Sequence, residues 1–350
     1  MLLTSGFFSF VVIPGQMNMK LIGQAAILTR HISKCLSSQA TAASTAVASR
    51  QNAIFDQEKE RQLSLIKRIE KIEVDHVGPN DPCKLAMNKY LSTPYNVALH
   101  FNQTYLQHSA IAMVNRKPWH MLQPLVEDCE LRFVTLKDDD VTVANRAFWR
   151  SCSVLMGAVL QSAFKDDIAV ELARAPDIPL STGCFAYDVN LPFKWEPTRE
   201  ELICLNRQAF IVAEKKLNFE RLEVSREVAL RIFEGNVYKK QQIEQTEAER
   251  IVLFRLADFI EISDGPLVTH TGFMAPYRFM FTCVHSFDDY LKPKNKLQRF
   301  QGVALPSEFR VHHTTWSIIE ERARKPVLVD SAPNLKSSHR EVNTQDEVAS

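Results

Sequence analysis

Phe148-Trp149-Arg150-Ser151-Cys152-Ser153-Val154-Leu155-Met156-Gly157 lies in a helix, because Trp149, Cys152, Met156, Val159 and Ala163 recur at three- and four-residue intervals. That spacing predicts one apolar side and one polar side. Upstream, Lys137 to Asn145 contains Asp138-Asp139-Asp140 and reads as a solvated linker. Downstream, Thr198-Arg199-Glu200-Glu201 is a capping box, in which hydroxyl and carboxylate each satisfy an orphan backbone N–H. The helix it opens turns Leu202, Leu205, Ala209 and Val212 inward, and Ser225 caps another that buries Val228, Ala229, Ile232 and Phe233. Strand-like Ile251–Phe254 and Phe259–Ile262 precede a turn at Gly265-Pro266.

The preceding segment follows a different plan. Phe55 to Arg68 is charged and rich in helix formers, which predicts a short exposed helix leading into a first domain. Ile72 and Val74 alternate with Glu73 and Asp75, the period of a half-buried strand. Thr93-Pro94 supplies an N-cap and a first-turn proline, and Val97, Phe101 and Tyr105 form one stripe behind it. Two more strands read Ala110–Val114 and Leu131–Leu136. Both halves together predict an α+β chain.

Composition excludes several classes. The 350 residues contain 10 glycines, no two separated by a single residue, so neither a dinucleotide fingerprint nor a kinase glycine loop is present. The seven cysteines (35, 83, 129, 152, 184, 204 and 283) form no C-x-x-C pair and read as small buried hydrophobes. Residues 1–50 contain Lys20, Arg30, Lys34 and Arg50 but no Asp or Glu, the composition of a mitochondrial transit peptide. The apolar start, Met1 to Ile13, is too short for a membrane span and has no preceding charge. Without the leader, 38 basic side chains face 41 acidic ones, so the formal net charge changes from +1 to −3.

Several segments resemble threonyl-tRNA synthetase. Ala112-Met113-Val114-Asn115, Pro124-Leu125 and Leu131-Arg132-Phe133-Val134-Thr135 are similar to its TGS domain, a β-grasp module, although Arg116 stands where that pattern has glycine. Phe148–Gly157, Gly183–Asp188, Leu217–Leu230, Asp258–Leu267 and Leu297–Gly302 resemble, in order, segments of its second additional (editing) domain. The resemblance implies a β-grasp domain at 68–137 and a larger editing-like α+β domain at 146–325. A charged helical lead-in at 51–67 precedes them, and a polar tail at 326–350 is expected to be disordered. The ATP site and anticodon domain are expected to be absent.

In that editing site an H-x-x-x-H pair on a helix and a C-x-x-x-H pair after a strand orient and deprotonate water. The matching positions here are Arg150, Val154, Ser263 and Leu267. Val and Leu carry no ligand or proton-transfer atom, and arginine stays protonated. No two of the ten histidines are four residues apart. Cys283 and His285 would point the same way on a strand, but a closed zinc site takes four ligands. The resemblance therefore implies a chain without catalysis, cofactor, metal or small-molecule substrate.

Scaffold order and degenerate positions together resemble the threonyl-tRNA-synthetase-like proteins of the mitochondrial large ribosomal subunit. The implied partners are large-subunit proteins and rRNA in the matrix, with no membrane. A tRNA-binding or regulatory module is the alternative. Phosphate neutralisation dominates RNA affinity, so the acidic mature balance predicts a peripheral position. Candidate contacts are Lys292, Lys294, Lys296 and Arg299, then Arg322, Arg324 and Lys325. The segment 55–68 and the tail are expected to order on assembly.

Overall fold

The computed structural model describes residues 42–78, 82–101, 103–138, 141–164 and 168–327. Residues 1–41 of the expected leader, and the tail from 328, lie outside them.

The lead-in helix, α1 (Ala42–Ser64), starts earlier than expected and takes in the end of the segment assigned to the leader. Nor is it exposed all round: Phe55 and Glu58 are buried. Most of a helix's stability in a protein comes from tertiary packing rather than from propensity. This one is held by Phe55, which packs with Leu222, Val224, Ala229, Ile232, Leu253 and Ile260. Gln51 donates to the Ile232 carbonyl at 3.0 Å and Gln62 to the Glu223 carbonyl at 2.8 Å. The helix is thus already docked, and on the larger half of the chain rather than on the first domain.

Strand β1 (Lys71–His76) points Ile72, Val74 and His76 inward, as the alternation predicts. It pairs antiparallel with β2 (Cys83–Asn88), which the sequence did not reveal. Helices α2 (Pro94–Phe101) and α3 (Gln103–His108) follow. Strands β3 (Ser109–Val114), β4 (Lys117–Trp119) and β5 (Cys129–Thr135) complete a five-stranded sheet, ordered β2-β1-β5-β3-β4. Parallel pairing of β1 with β5 places the chain's early and late strands side by side. The expected stripe is real: Val97 is buried, and Phe101 and Tyr105 stack around Phe133 and His76.

Helix α4 (Thr142–Ala163) begins at Thr142, so the solvated linker is shorter than expected. Its two-sided character is also overturned. Ser151 to Gly157 are all buried, because α4 is a central helix rather than a surface one. A Cβ on Gly157 would lie 2.7 Å from the Tyr187 ring and 2.8 Å from that of Phe259, so only glycine admits this close passage.

Around α4 stand two further sheets. One, ordered β11-β12-β7-β6, comprises β6 (Glu171–Arg174), β7 (Phe185–Asn190), β11 (Met274–Asp288) and β12 (Lys296–Pro306). The other comprises β8 (Glu220–Ser225), β9 (Arg250–Leu256) and β10 (Phe259–Ile262), with β9 central. Helix α5 (Arg199–Glu214) has the complete Thr198/Glu201 capping box. Ser225 caps α6 (Arg226–Ile232), and α7 (Val237–Gln245) and α8 (His313–Ala323) complete the described α-helices. The main apolar core joins α4 to both halves, since Ala110, Ile111, Val134 and Leu136 of the first half lie in it. The result is a mixed α+β fold with several sheets. At its end, the Val327 N–H donates to Gln301 at 3.0 Å, so residue 327 of the expected free tail is tied to β12.

Candidate functional site

The four positions expected to have lost their reactive groups lie on α4 and on the turn after β10. The Ser151 hydroxyl ties the two together, donating to the Ala147 carbonyl at 2.7 Å and accepting from the Val268 N–H at 2.9 Å. The Arg150 guanidinium lies against Gly265, where a Cβ would collide with it. Burial lowers the Arg150 pKa, opposed by the charges of Asp177 and Asp264. Val154 and Leu267 are buried in the main apolar core. The Ser263 hydroxyl donates to the Gly265 carbonyl at 3.0 Å and so closes its own turn. None of the four side chains can take a proton from water: Arg150 is a cation, Val154 and Leu267 are aliphatic, and the Ser263 hydroxyl is bonded to the Gly265 carbonyl.

Next to it lies a cluster that the sequence reading missed. Glu261 on β10, two residues before Ser263, is 1% exposed and accepts from the Tyr187 hydroxyl, the Lys239 ammonium and, at 2.9 Å, the Ile262 N–H. Burial, reinforced by Glu261, drives the Tyr187 pKa well above its ordinary value, so the phenol stays a donor. On the other face of β7, Asp188 takes a two-pronged bond from Arg299, at 2.7 and 3.0 Å. Arg174 approaches the same carboxylate at 3.4 Å. Both clusters are filled with their own partners. The signal that could have found them was charge on strands otherwise reading as core, at Asp188, Glu261 and Arg299.

Arg299 must therefore be removed from the surface candidates. It is 1% exposed, and its guanidinium is committed to Asp188 inside the sheet. Lys294 and Lys296 are exposed, while Lys292 is half-buried with its ammonium over the Tyr238 ring. Arg322 is exposed but donates to the Ser181 carbonyl, and Arg324 pairs with Glu320 at 2.6 Å. Lys325 is exposed, and its carbonyl accepts from Gln301 at 2.9 Å.

Cys283 and His285 do lie two apart on β11, as the sequence suggested. Burial pushes the Cys283 thiol up to about 11 and pulls the His285 pKa down. Among the described residues no group of three or more His, Cys, Asp or Glu side chains could hold a metal ion. No helix among them is long and apolar enough to cross a membrane.

No protein-family model matches the chain. It is 36% identical over 288 residues to the large ribosomal subunit protein mL39 of Drosophila melanogaster, a match covering 81% of this chain and 86% of that protein. It is 28% identical over 235 residues to the cytoplasmic threonine–tRNA ligase 2 of Bos taurus, covering 67% of this chain and 30% of the ligase. The threonine–tRNA ligase of Thermotoga petrophila is 28% identical over 171 residues, with 48% and 25% covered. The chain thus spans less than a third of the ligases it matches.

Proposed function

Because the chain belongs to the family of the large ribosomal subunit protein mL39, we propose that it is a structural component of the mitochondrial large ribosomal subunit. The match across most of both chains carries this reading. It is not an enzyme. Aliphatic side chains at Val154 and Leu267, a largely buried cation at Arg150 and a self-closed Ser263 support the loss of editing chemistry.

On this reading residues 68–137 are a β-grasp module of TGS type and residues 146–325 an editing-type domain, fused through α4. The protein works in the matrix after losing an N-terminal leader. Its contacts with the particle combine protein neighbours with local phosphate contacts from Lys294, Lys296 and Lys325, helped by Lys292, Arg322 and Arg324. The acidic mature balance supports a peripheral position. The test is sedimentation of tagged full-length chain from lysed mitochondria. Co-migration with the large subunit is expected. Migration with free tRNA-sized complexes would overturn the proposal in favour of a tRNA-binding module.

A further inference from the structure

Helix α8 ends at Ala323, and the chain then crosses the outer face of the four-stranded sheet. Phe300 lies in the main core with α4, so Arg299 and Gln301, its neighbours on β12, turn to the opposite face. There they hold the main chain. Gln301 Nε2 donates to the Ala323 carbonyl at 2.6 Å and to the Lys325 carbonyl at 2.9 Å. Thr282 on β11 donates to the Ala323 carbonyl at 2.8 Å. The Val327 N–H donates to Gln301 Oε1, and the Val327 carbonyl accepts from Arg299 Nη1 at 3.3 Å. Carbonyls 323, 325 and 327 thus face the sheet, the two-residue period of an extended chain. The side chains that grip this strap are buried, Gln301 wholly and Arg299 almost so.

The described residues end at Val327, and three features show where the chain heads. From Lys325 to Val327 it passes from Gln301 to Arg299, so its next residues run toward Leu297 and the β11 partner of Leu297, Phe287. The guanidinium that holds the Val327 carbonyl itself lies over the Phe287 ring, 4.7 Å from the centroid. Phe287, Tyr290 and Leu291 are half-buried apolar side chains packed on Ala173, Tyr238 and Leu297. Secondly, His285 pairs with Arg299 in the strand register, and its Nδ1 is buried with no hydrogen-bond partner among the described residues. Buried polar atoms in folded proteins nearly always have one. Thirdly, the two residues that follow, Leu328 and Val329, are both apolar.

We propose that Leu328 and Val329 continue the strap past Arg299 and dock on Phe287, Tyr290 and Leu291, with the Val329 N–H directed at His285 Nδ1. The two-residue period selects Val329 for that bond, because the polar groups of Val327 already face the sheet. The occupant is this chain's own segment because it is joined to a residue already bound there. Its effective concentration at the site exceeds that of a separate partner. The docked strap closes this face to other molecules and leaves the chain from Asp330 onward to reach beyond the fold. Nothing in this inference depends on the ribosomal reading.

Amide hydrogen exchange on the isolated full-length chain tests it. The amides of Leu328 and Val329 should exchange at least about tenfold more slowly than in a free peptide of residues 325–335, at every protein concentration. Leu328→Asp with Val329→Asp lies outside the described core and leaves the fold intact. It should return the exchange of 328–329 to the free-peptide rate and lower the melting midpoint by about 2–4 °C. Free-peptide rates in the unmutated chain would overturn the proposal, as would protection that survives the double substitution. Protection that grows with chain concentration would assign the face to a second copy. Protection confined to chain inside a larger particle would assign it to a neighbour, and either result overturns docking by the chain's own segment.

Discussion

Two regions separated by one residue of β10 handle buried chemistry in opposite ways. At Glu261 the chain keeps a carboxylate, an ammonium and a phenol together, almost wholly out of water. At Ser263, Leu267 and Val154, it offers two aliphatic side chains and a hydroxyl bonded to its own turn. The difference follows from coupling. Removing one member of the ionic cluster strands the others without solvent, which is strongly destabilising. The positions at 154 and 267 border apolar core, so aliphatic replacements there fit their surroundings. A scaffold can thus lose reactive groups while holding fast to buried charges that perform no chemistry.

The largest expected effect tests that coupling. Lys239→Met leaves Glu261 without its cation and should lower stability by about 3–5 kcal/mol in chemical denaturation. Adding Glu261→Gln should restore much of the loss, since glutamine removes the charge while still accepting from Tyr187. A single variant costing under about 1 kcal/mol would break the comparison.

His120 extends the comparison to the seam between the first sheet and β9, where its ring meets Phe254 at 5.1 Å. Burial, helped by the charge of Arg221 and opposed by a Val268 backbone bond, lowers its pKa to about 3. The folded value lies below the unfolded one, so the unfolded chain binds the proton first as pH falls. Stability is fully present above about pH 6.5 and is lost progressively toward pH 3, by a few kcal/mol. His120→Gln should flatten that part of the stability profile relative to the unmutated chain, and an unchanged slope would show that the ring is not held neutral.

Leu267→His places an imidazole at a position that the resemblance to the synthetase matches to a histidine. In apolar surroundings it should cost about 2–3 kcal/mol, read as a lower melting midpoint. A cost near zero would mean that the site is more open than its burial indicates. The smallest effect sharpens the link between the regions. Ser151→Ala leaves the Val268 N–H without its acceptor and should cost about 1–2 kcal/mol, whereas a neutral result would unlink α4 from the turn.

Local rules read much of this fold from the sequence. Alternation located β1, two further stretches read as strands became β3 and β5, and the Thr198 and Ser225 caps located α5 and α6. What failed were elements whose environment comes from elsewhere in the chain. Strand β12 is buried along most of its length, so it shows no alternation, and its Arg299 passed for a surface cation. Only the pairing of β12 with β7 brings Asp188 opposite it. Helix α4 looked two-sided because Ser151, Ser153 and Gly157 are polar or small. Those residues serve close packing and a buried bond. At the candidate site the four residue identities were legible, but their closeness to a filled ionic cluster was not, since α7 and β7 contribute from distant sequence.

The central claim is a retained scaffold without chemistry, and deacylation tests it most directly. Purified full-length chain, checked for folding by its melting transition, is incubated with mischarged threonine tRNA and the release of amino acid is followed. The account predicts release no faster than the spontaneous rate at any protein concentration. Sustained turnover that scales with the protein and disappears with Arg150→Ala or Ser263→Ala would contradict it.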